Sequence, residues 1–153
     1  MAGSFIDWKN NYEQRAIRNN EIFPTCVNPD KILLESVKMF EIPVKLDEWM
    51  RGTVGSVLYM EPAGRCCLGF ACNAAGISDE QMKHTGSPDC LKYDLMDMIK
   101  NSPLNFLFGY NYSRSKACQQ LIDINDSENI TDEERMIWLN NIMEKHDCKF
   151  VFV

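Results

Sequence analysis

No stretch of about 18 consecutive apolar residues occurs in this sequence, so no helix is expected to cross a membrane. The first residues, MAGSFIDWKNNYEQR, turn polar quickly and lack the apolar core of a secretion signal, which points to a cytoplasmic protein. Excess positive charge is also missing: 16 Lys and Arg stand against 22 Asp and Glu, a formal net charge of −6. Sequence-independent DNA binding is therefore disfavoured, whereas a small anion needs only two or three local cations. Histidine is scarce. His84 and His146 are the two present, and neither stands in a recognisable pairing with a cysteine, so a thiol nucleophile lacks its positioned base. No C-x-x-C pair suggests zinc; the nearest pattern is C-C-x4-C, and neighbouring residues on a helix point about 100° apart. GTVGS falls short of a phosphate-binding loop and does not precede a helix. No catalytic group, metal or cofactor is assigned on these grounds. Internal repeats, low-complexity tracts and long linkers are absent too, so residues 1–153 are expected to form a single globular domain.

Cysteine is not lacking. There are seven, at 26, 66, 67, 72, 90, 118 and 148, an odd number with no regular spacing. With no secretion signal they read as free thiols. Three of them fall in RCCLGFACNAAGI, where Asn73 is the one clearly polar side chain from Cys66 to Ala75. A helix apolar on nearly every face is a buried one. Its alanines and Gly69 allow another backbone to come close, and Gly76 suits the left-handed residue after its end. Cys66 and Cys67 at its start, beside Arg65, carry the features that favour thiolate; packing is nonetheless the main role read for the cysteines.

Periodicity supplies the other elements. Phe5, Trp8, Tyr12 and Ala16 make one apolar stripe. Asn28-Pro29 starts a helix through DKILLESVKMFE that Pro43 stops. KLDEWMRG reads as a short helix ended by Gly52. TVGSVLYM reads as a strand, EPAG as a turn, and the polar run from Ser78 to Asp89 as a loop with one helical turn. CLKYDLMDMIK and KACQQLIDI are amphipathic helices. Thr131 and Glu134 form a capping box that launches ERMIWLNNIMEKH, with Lys145 and His146 suited to its C-terminal dipole. CKFVFV closes as a strand beside TVGSVLYM. The fold class expected is α+β: several helices packed around a small, mainly antiparallel sheet.

Binding chemistry concentrates in YNYSRSK. Tyr110 and Tyr112 can stack on bases, while Arg114 and Lys116 can grip phosphate. Trp49, Arg51 and Arg65 form a second group, and Arg65 precedes a helix whose first N–H groups make a natural anion site.

DEWMRG, followed by RCCLGFACNAAG, resembles a family of small bacteriophage proteins that carry W-x-x-x-L-x-S-G and then Y-C-C-L-G-V-L-C-D-L-A-G. Farther on these proteins carry L-N-D and a helix of the kind F-x-x-I-A-x-x-I-E, to which LIDINDSENITDEERMIWLNNIME is similar. The match covers residues 45 to 77 and 120 to 144. Arg65 replaces the family's aromatic residue, Asn73 replaces its Asp, and residues 1 to 43 have no counterpart. The resemblance implies a phage immune-evasion protein working in the host cytoplasm. It would be a sponge that binds a cyclic nucleotide signal of a defence system such as CBASS without cutting it. Such proteins are homo-oligomers that hold the ligand where subunits meet. The implied partner is thus a small anionic nucleotide such as a cyclic dinucleotide. Two alternatives stay open: a protein that inhibits a host protein through exposed residues, for which Met96, Phe106 and Phe108 are candidates that fit the core equally well, and an enzyme acting on a nucleotide or its linkage.

Overall fold

The helix read from RCCLGFACNAAG lies at the centre of the protein. In the computed structural model, which describes residues 38–153, α1 (Cys67–Ala74) buries every residue from Cys67 to Cys72. Gly69 is required by contact. A Cβ there would stand 2.0 Å from the carbonyl oxygen of Leu58, so the chain at Leu58 could not cross the helix as it does. Gly76 takes up the left-handed conformation, φ 101°, as expected of a residue just past a helix end.

Met39–Val153 form a compact unit. The expected single domain over 1–153 and the apolar stripe from Phe5 to Ala16 extend outside the described residues. So does the helix start at Asn28-Pro29.

The sheet corrects the expectation. Among the described residues it has two strands, β1 (Phe40–Val44) and β2 (Cys148–Phe152), and they run parallel in the register Phe40↔Cys148 to Val44↔Phe152. Helices predominate, and the mainly antiparallel sheet is not found. TVGSVLYM is not a strand, because Gly52 and Gly55 bend the backbone at φ 74° and 86°. What remains of it makes only single bridges, Tyr59 to Lys83 and Met60 to Gly64. Phe40 and Glu41, read as a helix end, belong to β1 instead. Pro43 sits inside β1 without breaking the ladder. In a parallel pair alternate residues of one strand face the partner. Phe40 N donates to Asp147 O and Val44 O accepts from Val153 N, so Pro43 points its missing N–H the other way. The outer edge of β2 is closed by a side chain. The Asn140 amide accepts from Phe150 N at 2.8 Å and donates to Phe150 O at 3.0 Å, standing in for a third strand.

The remaining helices are α2 (Asp79–Met82), α3 (Tyr93–Lys100), α4 (Lys116–Asp126) and α5 (Asp132–Met143). The capping box of Thr131 and Glu134 forms as read, and Ser78 with Gln81 makes another at α2. KLDEWMRG yields only a 3-10 turn, Leu46–Glu48. α1 packs on β1 and α4, α4 packs on α5, and α5 packs on β2.

One buried amide joins these layers. Asn125, near the end of α4, is 1% exposed. Its Oδ1 accepts from the indole Nε1 of Trp49 at 2.9 Å and from the backbone N of Cys67 at 3.1 Å. Its Nδ2 donates to Met50 O and to Asp126 Oδ1, each at 3.0 Å. Cys66, the N-cap of α1, has no capping side chain, so Asn125 supplies from α4 the acceptor that a serine would normally supply locally. The guanidinium of Arg135 completes the junction. Only 3% exposed, it donates from Nη1 to the carbonyl oxygens of Ile124, Asn125 and Ser127 at 2.7, 3.0 and 2.8 Å. These are the carbonyls a helix end leaves orphaned, and a cation there also meets the negative end of the dipole.

Removing the Asn125 amide strands two buried donors and a carbonyl. Asn125→Ala should therefore cost about 3 kcal/mol or more in urea unfolding, while the exposed Asn129→Ala should stay within about 0.5 kcal/mol of the parent.

Candidate functional site

The first group of expected site residues is a structural clasp. Trp49 is 4% exposed, its ring 4.9 Å from that of Phe152 and its N–H held by Asn125. It is a core residue and offers no face to a ligand. Arg51 lies 4.7 Å over that indole and pairs with Asp132 at 2.9 Å. Its Nη1 donates to the carbonyls of Leu46 and Trp49. Arg65 donates to both carboxylate oxygens of Asp79, at 2.8 and 2.5 Å, and to Glu48 at 3.0 Å. The rings of Tyr59 and Phe70 lie against it, 5.4 and 5.3 Å from its guanidinium carbon. Asn73 adds a further donor to Asp79. Both arginines thus have their charge matched by carboxylates of the same chain. Arg65 stands before α1 as expected, but its donors bridge α1's entrance to Glu48 and Asp79 and are not left for an anion.

The second group makes a different surface. The chain from Gly109 to Ser113 folds back on itself, with Gly109 N bonded to Ser113 O at 2.8 Å. Within the turn Asn111 and Tyr112 both hold positive φ, 53° and 58°. Asparagine tolerates this region; tyrosine does so at a cost. Several contacts hold Tyr112 there. Its hydroxyl donates to the Asp97 carboxylate, which raises the phenol's pKa above its ordinary value. Its ring meets Tyr93 and Phe108 edge-on, each at 5.7 Å, and Lys100 Nζ lies 4.8 Å over it. Arg114 clamps the turn from the other side. It donates to Asp89 at 3.0 Å, to the buried Ser87 hydroxyl at 2.8 Å and to Gln119 at 2.8 Å.

What this anchored loop displays is Tyr110, 93% exposed; farther on, at the start of α4, Lys116 is exposed and forms no ion pair or hydrogen bond through its side chain. Tyr93, 71% exposed, and Lys100 extend the surface from α3. Neither was singled out from the sequence. The signal was present: Tyr93, Asp97 and Lys100 fall at helical spacings on the face of α3 opposite its buried Leu95 and Ile99. Of the seven expected residues, the structure keeps Tyr110 and Lys116 open to solvent. Tyr112 and Arg114 position the loop, and Trp49, Arg51 and Arg65 belong to the clasp. No hydrogen bond, ion pair or ring contact joins the two groups among the described residues.

Thiol chemistry is opposed by burial. Cys67, Cys72 and Cys118 are fully buried and Cys66 nearly so. Burial pushes Cys66 up to about 11 and Cys118 up to about 12, and raises Cys67 and Cys72 well above the ordinary thiol value. Desolvation thus outweighs the helix N-terminus and Arg65, and the expected push toward thiolate is reversed. His146 is stacked on Phe106, ring centroids 4.0 Å apart, and burial lowers its pKa. Among the described residues no group of His, Cys, Asp or Glu could hold a metal ion. Met96 is 4% exposed, and Phe106 and Phe108 are partly buried against the core, so of the two places these residues fit, the structure puts them in or against the core.

Comparison with known protein families, curated proteins and solved structures finds no match to this chain.

Two outcomes follow from these geometries. The Arg65 hydrogen bond holds Asp79 below its ordinary value of 3.8, and the Arg51 hydrogen bond does the same for Asp132. A depressed carboxylate contributes stability above its unfolded pKa and loses it as pH falls through the folded value. Asp79→Asn and Asp132→Asn should therefore lower the melting temperature near neutral pH, and the difference from the parent should shrink below about pH 3. In native alkylation followed by peptide mapping, the exposed Cys90 should label first among the described cysteines. Cys66, Cys67, Cys72 and Cys118 should label only on unfolding.

Proposed function

We propose that this chain is a non-catalytic binding protein for a small nucleotide anion, held at the surface formed by Tyr93, Tyr110, Lys100 and Lys116. The observation that carries the reading is the turn at 110–112. It keeps a tyrosine in a costly left-handed conformation, braced by Asp97, and leaves Tyr110 almost wholly exposed. Strain maintained by surrounding contacts is characteristic of ligand clamps. Exposed rings supply stacking faces, and the lysines supply charge for phosphate.

In the setting that the family resemblance implies, the ligand is a cyclic nucleotide messenger of a bacterial anti-phage system, and the protein sequesters it for the phage. Stacking at about 1–3 kcal/mol per base, with charge-assisted contacts to phosphate, has to offset the entropy of capture. An open surface of one copy reaches modest affinity. Facing two copies across the ligand encloses it and fits an oligomeric sponge.

The test is incubation with a panel of cyclic di- and trinucleotides, followed by denaturation and chromatography of the released small molecules. Depletion from solution with intact ligand recovered is the expected result. New products would mean an enzyme, and ligand left free would point to a protein target. Tyr110→Ala and Lys116→Ala should each weaken binding by about ten-fold, the scale of one lost stacking or charged contact. Arg51→Lys, in the clasp, should leave affinity unchanged.

A further inference from the structure

Helix α5 (Asp132–Met143) reverses the usual sorting of side chains. It buries its arginine and displays its tryptophan. Arg135 is accounted for by the carbonyls it caps at the end of α4. Nothing within the described fold accounts for Ile137 and Trp138, which are 59% and 43% exposed and consecutive on the outer face. Their neighbours one turn toward the N-terminus are Glu133 and Glu134, and one turn toward the C-terminus Asn141, all exposed. Glu134 closes the capping box on Thr131, and no ion pair among the described residues involves either glutamate. The face is therefore an apolar ridge, Ile137 and Trp138, bounded on one side by negative charge that no cation among the described residues neutralises.

We infer that this face docks an amphipathic helical segment of another protein, whose apolar row meets Ile137 and Trp138 and whose lysines or arginines meet Glu133 and Glu134. The inference is independent of the nucleotide surface. Tryptophan is the residue most enriched among those that dominate binding energy at interfaces, and an apolar helix face is read at spacings of three and four by a partner helix. The charge decides the partner's character. A basic segment is attracted and an acidic one repelled. A second copy of this chain fits less well. Parallel α5 helices would set glutamates against glutamates, antiparallel ones would set Glu134 against Asn141, and neither brings a cation.

The experiment uses the full chain and two synthetic peptides of about 14 residues, each with leucines on one helical face. One peptide carries flanking lysines, the other flanking glutamates. Titration monitored by heteronuclear NMR should show the lysine peptide binding, with shifts centred on 133–141 and affinity falling as salt rises. Trp138→Ala should weaken it at least about ten-fold and Glu133→Lys about three-fold or more, with the melting temperature of each variant near that of the parent. Tyr110→Ala should leave it unchanged. Equal binding of both peptides, binding of neither, or lysine-peptide binding that survives Trp138→Ala would overturn the inference. So would a dimer in sedimentation that Trp138→Ala dissociates, because the occupant would then be the protein itself.

Discussion

The side-chain amide of Asn125 is the constraint on which the rest of the structure depends. It links Trp49 to α4 across 76 positions of sequence and caps α1 from 58 positions away. Each of its polar atoms is engaged, and no buried side-chain nitrogen or oxygen among the described residues lacks a partner. A fully satisfied buried network specifies one arrangement, whereas a half-satisfied one is worse than an apolar core. An aliphatic side chain in this place would fill the volume but leave the indole N–H and the first turn of α1 without an acceptor. Arg135 works to the same end. Its guanidinium gathers carbonyls that would otherwise face a dry interior at the α4–α5 junction, so the two residues convert a costly polar region into the point where α1, α4, α5 and the Trp49 segment meet.

Periodicity and capping signals made most of this helical scaffold legible. α1, α3, α4 and α5 are short-range objects, defined by apolar spacing, Ser115 or Thr131 at their starts and Gly76 after α1. The sheet was not legible, for a physical reason. β1 and β2 lie at opposite ends of the described chain, and each is completed by a partner that local pattern cannot reveal. Phe40–Val44 alternates buried and exposed positions only because β2 and α1 cover one face, and its proline argued for a stop where the ladder in fact runs past it. TVGSVLYM has the composition of a strand but is bracketed by glycines that turn it.

The binding surface was half legible for a related reason. Composition shows which cations a segment carries, not which carboxylates fold back onto them. Arg51, Arg65 and Arg114 each meet an aspartate distant in sequence, Asp132, Asp79 and Asp89. A guanidinium offers a planar fork of donors that matches carboxylate oxygens, so arginine is favoured where a partner must be held in fixed geometry. Lysine, a hydrated point charge on a flexible stem, loses more entropy in such a role. The division seen here follows: the arginines brace the fold, while Lys100 and Lys116 stay at the surface. In the IND of the family resemblance the fold turns on Asn125, whose amide offers both donor and acceptor where the carboxylate of the following Asp126 offers only acceptors.

This division bears on how such a protein can hold a ligand. With Arg51, Arg65, Arg114 and Arg135 engaged by carboxylates and carbonyls of the same chain, an anion bound as proposed would be met by lysines and tyrosine hydroxyls at an exposed surface, where solvent screens charge and each contact is weak. Gains of a few kcal/mol from stacking are then largely cancelled by the cost of immobilising the ligand. Tight sequestration requires the water to be excluded, and one small domain whose rings point outward cannot do that alone. On the proposed reading, the missing wall comes from another surface. Tyr110, almost wholly exposed on a loop too well braced to collapse inward, is placed to meet one. Under that proposal, rigidity in the loop and openness at its tip work together: ordering is completed within the monomer, so that assembly around a ligand would not have to supply it.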